Sequence, residues 1–304
     1  MGSIDDVVLN FDAGNLRVLN AILAILMFSI ALDLRTADFS RVLRAPKPLL
    51  VGLMSQFLLL PALTFLMLLA FRPQPSIAMG LILIAACPGG NISNFITHRA
   101  GGNVALSVSM TAFATVSAIV ITPANIALWG YLYTPTRAIL QQVRIDPVSV
   151  AITVGVMLVL PLILGMVLRA RRPALAARIN RPMQMLSLAI FAGFIAVALA
   201  GNWGFLVQFA GVIVGLVFVH NALAFTGGYT IATLAGLAER DRRSVTIETG
   251  IQNSGLGLVL IFAFFGGLGG MAVAAAFWGV WHAIAGLALA ALFARREVSA
   301  CPAS

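Results

Sequence analysis

The sequence predicts an all-α polytopic membrane protein. Nine transmembrane helices form two inverted repeats, each with one broken helix. Composition gives the class: of 304 residues, 61% are hydrophobic and 10% charged, with mean hydropathy +1.02, whereas soluble chains carry about 25% charged residues. The apolar runs are continuous, which suits helices and excludes the period-two alternation of a membrane barrel. Two of those runs are interrupted by polar, glycine-rich stretches, and one of the interruptions opens on Glu248.

A spanning helix needs about 20 mostly apolar residues. Spans are expected at 15–34, 48–71, 76–98, 103–132, 147–169, 183–201, 203–236, 243–266 and 270–294. The first follows an acidic start (Asp5, Asp6, Asp12), so no cleavable leader is expected and the run itself serves as insertion signal. The second lies between Lys47 and Arg72 and holds Gln56, an amide that is costly in an apolar span without a partner. The third is divided by Cys87-Pro88-Gly89-Gly90-Asn91-Ile92-Ser93-Asn94. The fourth carries Ser107 and Thr111, an i,i+4 pair on one helix face. The fifth and sixth are separated by Arg169, Arg171, Arg172, Arg178 and Arg181. The seventh is long and is expected to bend near Gly227-Gly228. The eighth is broken between Gly250 and Gly255. The ninth contains His282 and ends at Arg295-Arg296.

Charge orients the chain. With the N-terminus outside and the C-terminus cytoplasmic, fifteen of the nineteen Lys and Arg fall in inner loops, among them Arg35, Arg41, Arg44, Lys47, Arg99, Arg240, Arg242 and Arg243. Only Arg17, Arg72, Arg137 and Arg144 fall outside. The expected location is the inner (plasma) membrane. The net charge of +9 is dispersed over span ends, which excludes a nucleic-acid patch. Cys87 and Cys301 suggest neither a disulfide nor a metal site. No protein partner and no cofactor are expected, and no enzyme motif is present: there is no Walker loop, no nucleophile elbow and no zinc helix.

The two breaks carry the function. Pro removes a backbone donor and Gly lowers the cost of leaving the helix. Unwound backbone at membrane depth is tolerated only inside protein or beside a watery cavity. The broken third and eighth spans run in opposite directions. Spans one, two and four pair in the same way with six, seven and nine, leaving five unpaired. Broken helices at matching places in inverted halves point to a carrier's binding site. Nine of the ten acidic residues sit in tails, loops or segment ends, and Glu248 is the exception. An ionisable group there reads as part of an ion or substrate path. Gln252, Asn253, Ser93, Asn94, Ser107 and Thr111 add the neutral oxygens that a hard cation such as sodium takes. Ser107 and Thr111 could equally bond their own helix carbonyls. His98 and Arg99 belong to a solvated loop, and His220 reads as a packing histidine.

At these segments the chain resembles the bile acid:sodium symporter family. The resemblance rests on Cys87 to Asn94, on Gly102-Asn103-Val104-Ala105-Leu106-Ser107 leading to Thr111, and on Glu248 to Leu256. It implies a core domain (spans 48–71, 76–98, 103–132, 203–236, 243–266 and 270–294) and a panel domain (15–34, 147–169 and 183–201). The broken helices would cross at mid-membrane. It implies two sodium ions: one held by Ser93, Asn94, Ser107, Thr111 and Glu248, the other by Gln56, Glu248 and Gln252 with the carbonyls of Thr249 and Ile251. Asn253, His282 and the position of Asn91 would line the substrate cavity. Asn91 and Ala283 depart from the family's pattern, which leaves the substrate open. The function so implied is sodium-coupled uptake of an organic anion, bile-acid-like or a small pantoate-like carboxylate. The alternative is a proton-coupled or efflux carrier of similar architecture. A sensor would need an appended domain, for which no loop is long enough.

Overall fold

The computed structural model describes residues 13–32, 46–90, 92–143, 146–201 and 203–295. They form helices α1 (Ala13–Ala31), α2 (Pro46–Phe71), α3 (Pro75–Ala86), α4 (Ile92–Arg99), α5 (Val104–Leu132), α6 (Arg137–Val143), α7 (Pro147–Arg171), α8 (Pro173–Gly201), α9 (Trp203–Leu234), α10 (Glu239–Gly250), α11 (Ser254–Phe264) and α12 (Gly269–Ala294). By length and composition α2, α5, α7, α12 and the stretch Gly211–Leu234 of α9 suffice to cross a membrane, while α3 and α11 are shorter apolar helices. The chain is therefore a multi-pass membrane protein.

Each expected run is found as one helix or as two halves around a break. The third run is α3 and α4, separated by residues 87–91, and the eighth is α10 and α11, separated by 251–253. α3 is enclosed, with every residue from Ser76 to Ala86 buried. Such all-round burial explains why its sequence is apolar on all faces. α11 is likewise buried from Ser254 to Ile261. The outward faces of α2 (Leu50, Leu58, Leu66) and α7 (Ile152, Ile163) expose large apolar side chains, the face a bilayer would cover. α1 packs on α7 and α8. At one crossing a Cβ on Gly165 would collide with Ala31, so only glycine permits the approach.

Three local features depart from expectation. α9 runs unbroken through Gly227-Gly228, where a bend was expected. The pair instead brings helices together: a Cβ on Gly227 would lie 2.7 Å from Leu63 of α2, and one on Gly228 3.0 Å from Thr249 of α10. α8 starts at Pro173, ten residues before the expected span, with Arg178 and Arg181 in its first turns. α2 and α7 each contain a π-helical turn, Ser55–Leu59 and Gly155–Val159, directly ahead of Pro61 and Pro161. A proline lacks the N–H for the regular i→i−4 bond, which favours such a local widening.

Asn91, Cys301 and the loop charges Arg35, Arg41, Arg44, Arg144 and Arg296 lie outside the described residues.

Candidate functional site

The two breaks lie against each other and are joined through the main chain. Gly89 and Gln252 form an isolated antiparallel bridge. The Gly90 N–H donates to the Ile251 carbonyl at 2.7 Å, and the Asn253 N–H donates to the Pro88 carbonyl at 2.9 Å. These bonds satisfy backbone groups that the broken helices release, as burial requires. Only glycine fits here: a Cβ on Gly90 would lie 2.7 Å from the Gln252 carbonyl oxygen. The half-helix ends therefore meet at one place. The C-termini of α3 and α10 bring partial negative charge, and the N-termini of α4 and α11 bring partial positive charge. A cation and an anion can thus both be favoured close to the crossing.

Glu248 sits in the last turn of α10 and is wholly buried. Its Oε1 accepts from Ser93 Oγ at 2.6 Å, Ser107 Oγ at 2.7 Å and Thr111 Oγ1 at 2.8 Å. The cluster is short of protons. Ser107 Oγ also lies 2.8 Å from Asn94 Oδ1. Thr111 Oγ1 also reaches the Ser107 carbonyl at 3.0 Å and Asn94 Oδ1 at 3.4 Å. A hydroxyl has one proton to donate, so several of these acceptors face lone pairs. Oxygens packed this way around a carboxylate, with no ion pair to Glu248 among the described residues, suit a hard cation.

The other carboxylate oxygen, Oε2, is buried without a hydrogen-bond partner, as are Gln56 Oε1 and Gln252 Oε1. Both amides are turned the same way. Gln56 Nε2 donates to the Glu248 carbonyl at 3.4 Å and Gln252 Nε2 to the Thr249 carbonyl at 2.8 Å, which leaves their oxygens free. Buried acceptors left without donors cost about 1–3 kcal/mol each, and a bound cation removes that cost. The π turn Ser55–Leu59 is the segment of α2 that carries Gln56. The Thr249 and Ile251 carbonyls each accept one hydrogen bond and retain a second lone pair.

The expected site residues thus fall into groups. Ser93, Asn94, Ser107, Thr111 and Glu248 are brought together on α4, α5 and α10. Gln56, Gln252 and Glu248 Oε2 supply unpartnered oxygens at the crossing. Asn253 caps α11, its Oδ1 accepting from the Leu256 N–H at 3.0 Å, which leaves Nδ2 for a ligand. His282 is 6% exposed, edge-on to Trp278, and shares no hydrogen bond with the ion-binding candidates. His220 is buried and 2.6 Å from Thr64 Oγ1, so it is a hydrogen-bonded packing histidine as expected.

Residues absent from the sequence reading also shape the site. Asn221 Nδ2 donates to the Gly250 carbonyl at 2.7 Å, capping α10 where it breaks. Ser55 Oγ meets Thr249 Oγ1 at 2.8 Å, tying the π turn to α10. Asn221 was detectable as a buried polar group within an apolar run. Ser55 carried no signal, since the π turn itself has none.

Comparison with known proteins bears on the kind of protein that carries this site. The Sodium Bile acid symporter family matches residues 21–209, which include the first break. The "Uncharacterized sodium-dependent transporter YocS" of Bacillus subtilis is 30% identical over 90% of this chain and 82% of its own length. Coverage that extensive spans both breaks. The mouse "Sodium-dependent organic anion transporter" is 30% identical over 93% of this chain and 76% of its own. The rice "Probable sodium/metabolite cotransporter BASS2, chloroplastic" is 32% identical over 78% of this chain, which spans about half (55%) of that relative. These relatives are transporters rather than enzymes. With a family match over more than half its residues and relatives alike along nearly its whole length, the chain belongs to the sodium bile acid symporter family.

Proposed function

We propose that this protein is a sodium-coupled carrier that imports an organic anion by alternating access. The observation that carries the reading is the division of labour at Glu248. One carboxylate oxygen sits among three hydroxyls and the other is buried without a hydrogen bond, with no ion pair to Glu248 among the described residues. Two sodium ions would share this carboxylate. The first would take Ser93, Asn94, Ser107, Thr111 and Glu248. The second would take Gln56, Glu248 and Gln252 with the Thr249 and Ile251 carbonyls. The names of the relatives, sodium-dependent and organic anion among them, support sodium coupling and an anionic substrate.

The positive ends of α4 and α11 at the crossing favour a carboxylate or sulfonate. Bile-acid-like acids and small pantoate-like carboxylates are the substrates proposed, with Asn253, His282 and the position of Asn91 toward the cavity. The architecture proposed is nine spans in an inverted repeat, with N-terminus outside and C-terminus cytoplasmic in the plasma membrane. A core would move against a panel of α1, α7 and α8. The opposed half-helix pairs α3–α4 and α10–α11 support the repeat, and the contacts of α1 with α7 and α8 support the panel.

The test is thermal stability of the purified protein titrated with NaCl against KCl at equal ionic strength, alongside Glu248→Gln. A ligand that binds the folded state raises stability by RT ln(1 + [L]/Kd). A sodium-specific rise that Glu248→Gln abolishes is expected. Equal behaviour in both salts would overturn sodium coupling.

A further inference from the structure

We propose that Arg243 and Asn103 are positioning residues for the first ion site: together they fasten α4, α5 and α10 to one another one to two turns from the ligands that these helices supply. The inference rests on the sodium reading above and names what holds that site to size.

α4, α5 and α10 each contribute ligands near the crossing, and all three meet again about one to two turns away. α4 ends at Arg99, and the next residue, Ala100, has a carbonyl that accepts from Arg243 at 2.9 Å. Gly101, at φ 66°, turns the chain back. Gly102 is so tightly placed that a Cβ would lie 2.8 Å from Thr97 and 3.0 Å from Ser244. Asn103 then starts α5. Its backbone N–H lies 3.1 Å from the Arg240 carbonyl and 2.8 Å from Ser244 Oγ. Its own carbonyl lies 3.0 Å from Ser244 Oγ, and its side-chain Nδ2 donates to Asp241 at 2.8 Å. Asn103 Oδ1 meanwhile caps α5 through the Leu106 N–H at 3.2 Å. One residue thus starts a ligand helix and fastens it to another.

Arg243 is 2% exposed. It spans Glu239 Oε1 at 3.0 Å and the Ala100 carbonyl, and its guanidinium lies 5.2 Å from the Phe293 ring centre. The planar fork of arginine can serve two fixed acceptors at once, which a lysine cannot do along the same geometry. Glu239 lies on α10 itself and moves with Arg243, so sliding of α4 would break the bond to the Ala100 carbonyl and leave a buried charged donor short of an acceptor. The arrangement therefore resists sliding of α4 against α10. The distances from this knot to the site are short. Ser107 is one turn beyond Asn103, ~6 Å along α5, and Glu248 is five residues beyond Arg243, ~7.5 Å along α10. The spacing of Ser93, Ser107 and Glu248 is thus held at this knot as well as at the crossing.

The sequence assigned Arg243 to a charged inner loop, and burial corrects that. Of the three neighbouring arginines, only Arg243 is four residues from Glu239 and faces the end of α4.

The experiment titrates NaCl, with KCl as the baseline, on the full-length wild type, Arg243→Gln, Asn103→Asp and the pair Asn103→Asp with Asp241→Asn, reading melting midpoints. Asn103→Asp keeps the cap on α5 and sets two carboxylates against each other. The exchanged pair restores the hydrogen bond in the opposite sense. Groups that orient ion ligands typically change affinity by about 10–100-fold, so half-saturating sodium should rise at least tenfold in both single variants and return to within threefold of wild type in the pair. Variants that melt lower in KCl yet titrate with wild-type half-saturation would make the knot structural only and overturn the inference. Should Arg243→Gln fail to fold, the Asn103 and Asp241 variants decide alone. A wild type without any sodium-specific shift would overturn the sodium reading itself, a result distinct from unchanged variants of a responsive protein.

Discussion

Gly89 lies directly against the unbonded oxygen of Glu248: a Cβ built on it would sit 2.5 Å from Oε2 and 2.7 Å from Gln56 Nε2. The glycine on one broken helix therefore defines how near the carboxylate of the other can come. Gly89→Ala is expected to abolish most sodium-specific stabilisation. Overpacking of this kind costs about 1–3 kcal/mol in the fold, so the variant should still be purified and its lower midpoint in KCl measured. A Gly89→Ala protein with wild-type sodium half-saturation would remove Oε2 from the ion path.

Ser107 bonds one carboxylate oxygen, and Gln252 belongs to the proposed second site, which would use the other. Sites that share a charged group are not independent, and coupling energies of about 0.5–3 kcal/mol are usual for such pairs. A double-mutant cycle of Ser107→Ala and Gln252→Ala, read as sodium-dependent stabilisation, is expected to be non-additive within that range. Strict additivity would mean that Glu248 does not bridge two ions.

Thr64 Oγ1 donates to the Leu60 carbonyl at 2.7 Å and lies 2.6 Å from His220 Nε2, a pair satisfied when Nε2 carries the proton. Thr64→Val keeps the shape and removes the acceptor. It should lower stability by about 1–3 kcal/mol and leave half-saturating sodium unchanged, since the pair lies outside the ion-ligand cluster. Thermal melts with and without sodium separate the two effects. A weakened sodium response would extend the ion path to α9.

Asp146 caps α7. The Ser149 hydroxyl at 2.7 Å and the Val148 and Ser149 N–H groups hold its carboxyl below the ordinary carboxylate range. A lowered folded-state pKa favours the folded protein above the unfolded value, and that contribution is lost as pH falls through the folded value. Wild type and Asp146→Ala should therefore differ in melting midpoint near neutral pH and converge under acid. A difference that persists at the lowest pH would assign the cap to the neutral acid.

The breaks were legible because their residues have few other uses: Pro88, Gly89, Gly90 and Gly250 end helices, and Glu248 has no place in an apolar span without a task. The oxygens around Glu248 were legible for the same reason, as polar groups at helical spacing. What remained hidden depends on register between distant segments. The π turn that carries Gln56 follows from a proline, yet most prolines in helices produce no such turn. Gly227 and Gly228 read as a bend because composition alone does not distinguish flexibility from close packing. Arg243 read as a loop charge because its partner on α4 is a carbonyl, and carbonyls are present at every residue.

The strap between Gly89 and Gln252 is made of peptide groups alone, and every amino acid except proline offers the same peptide group. Its register is consequently set by the main chain, and its one demand on side chains is that residues 89 and 90 have none. The alignment that presents Ser93 to Glu248 can therefore hold while other side chains around the crossing are exchanged. Register and chemistry at the crossing are thus encoded in different parts of the polymer: one in its repeating chain, the other in its variable groups.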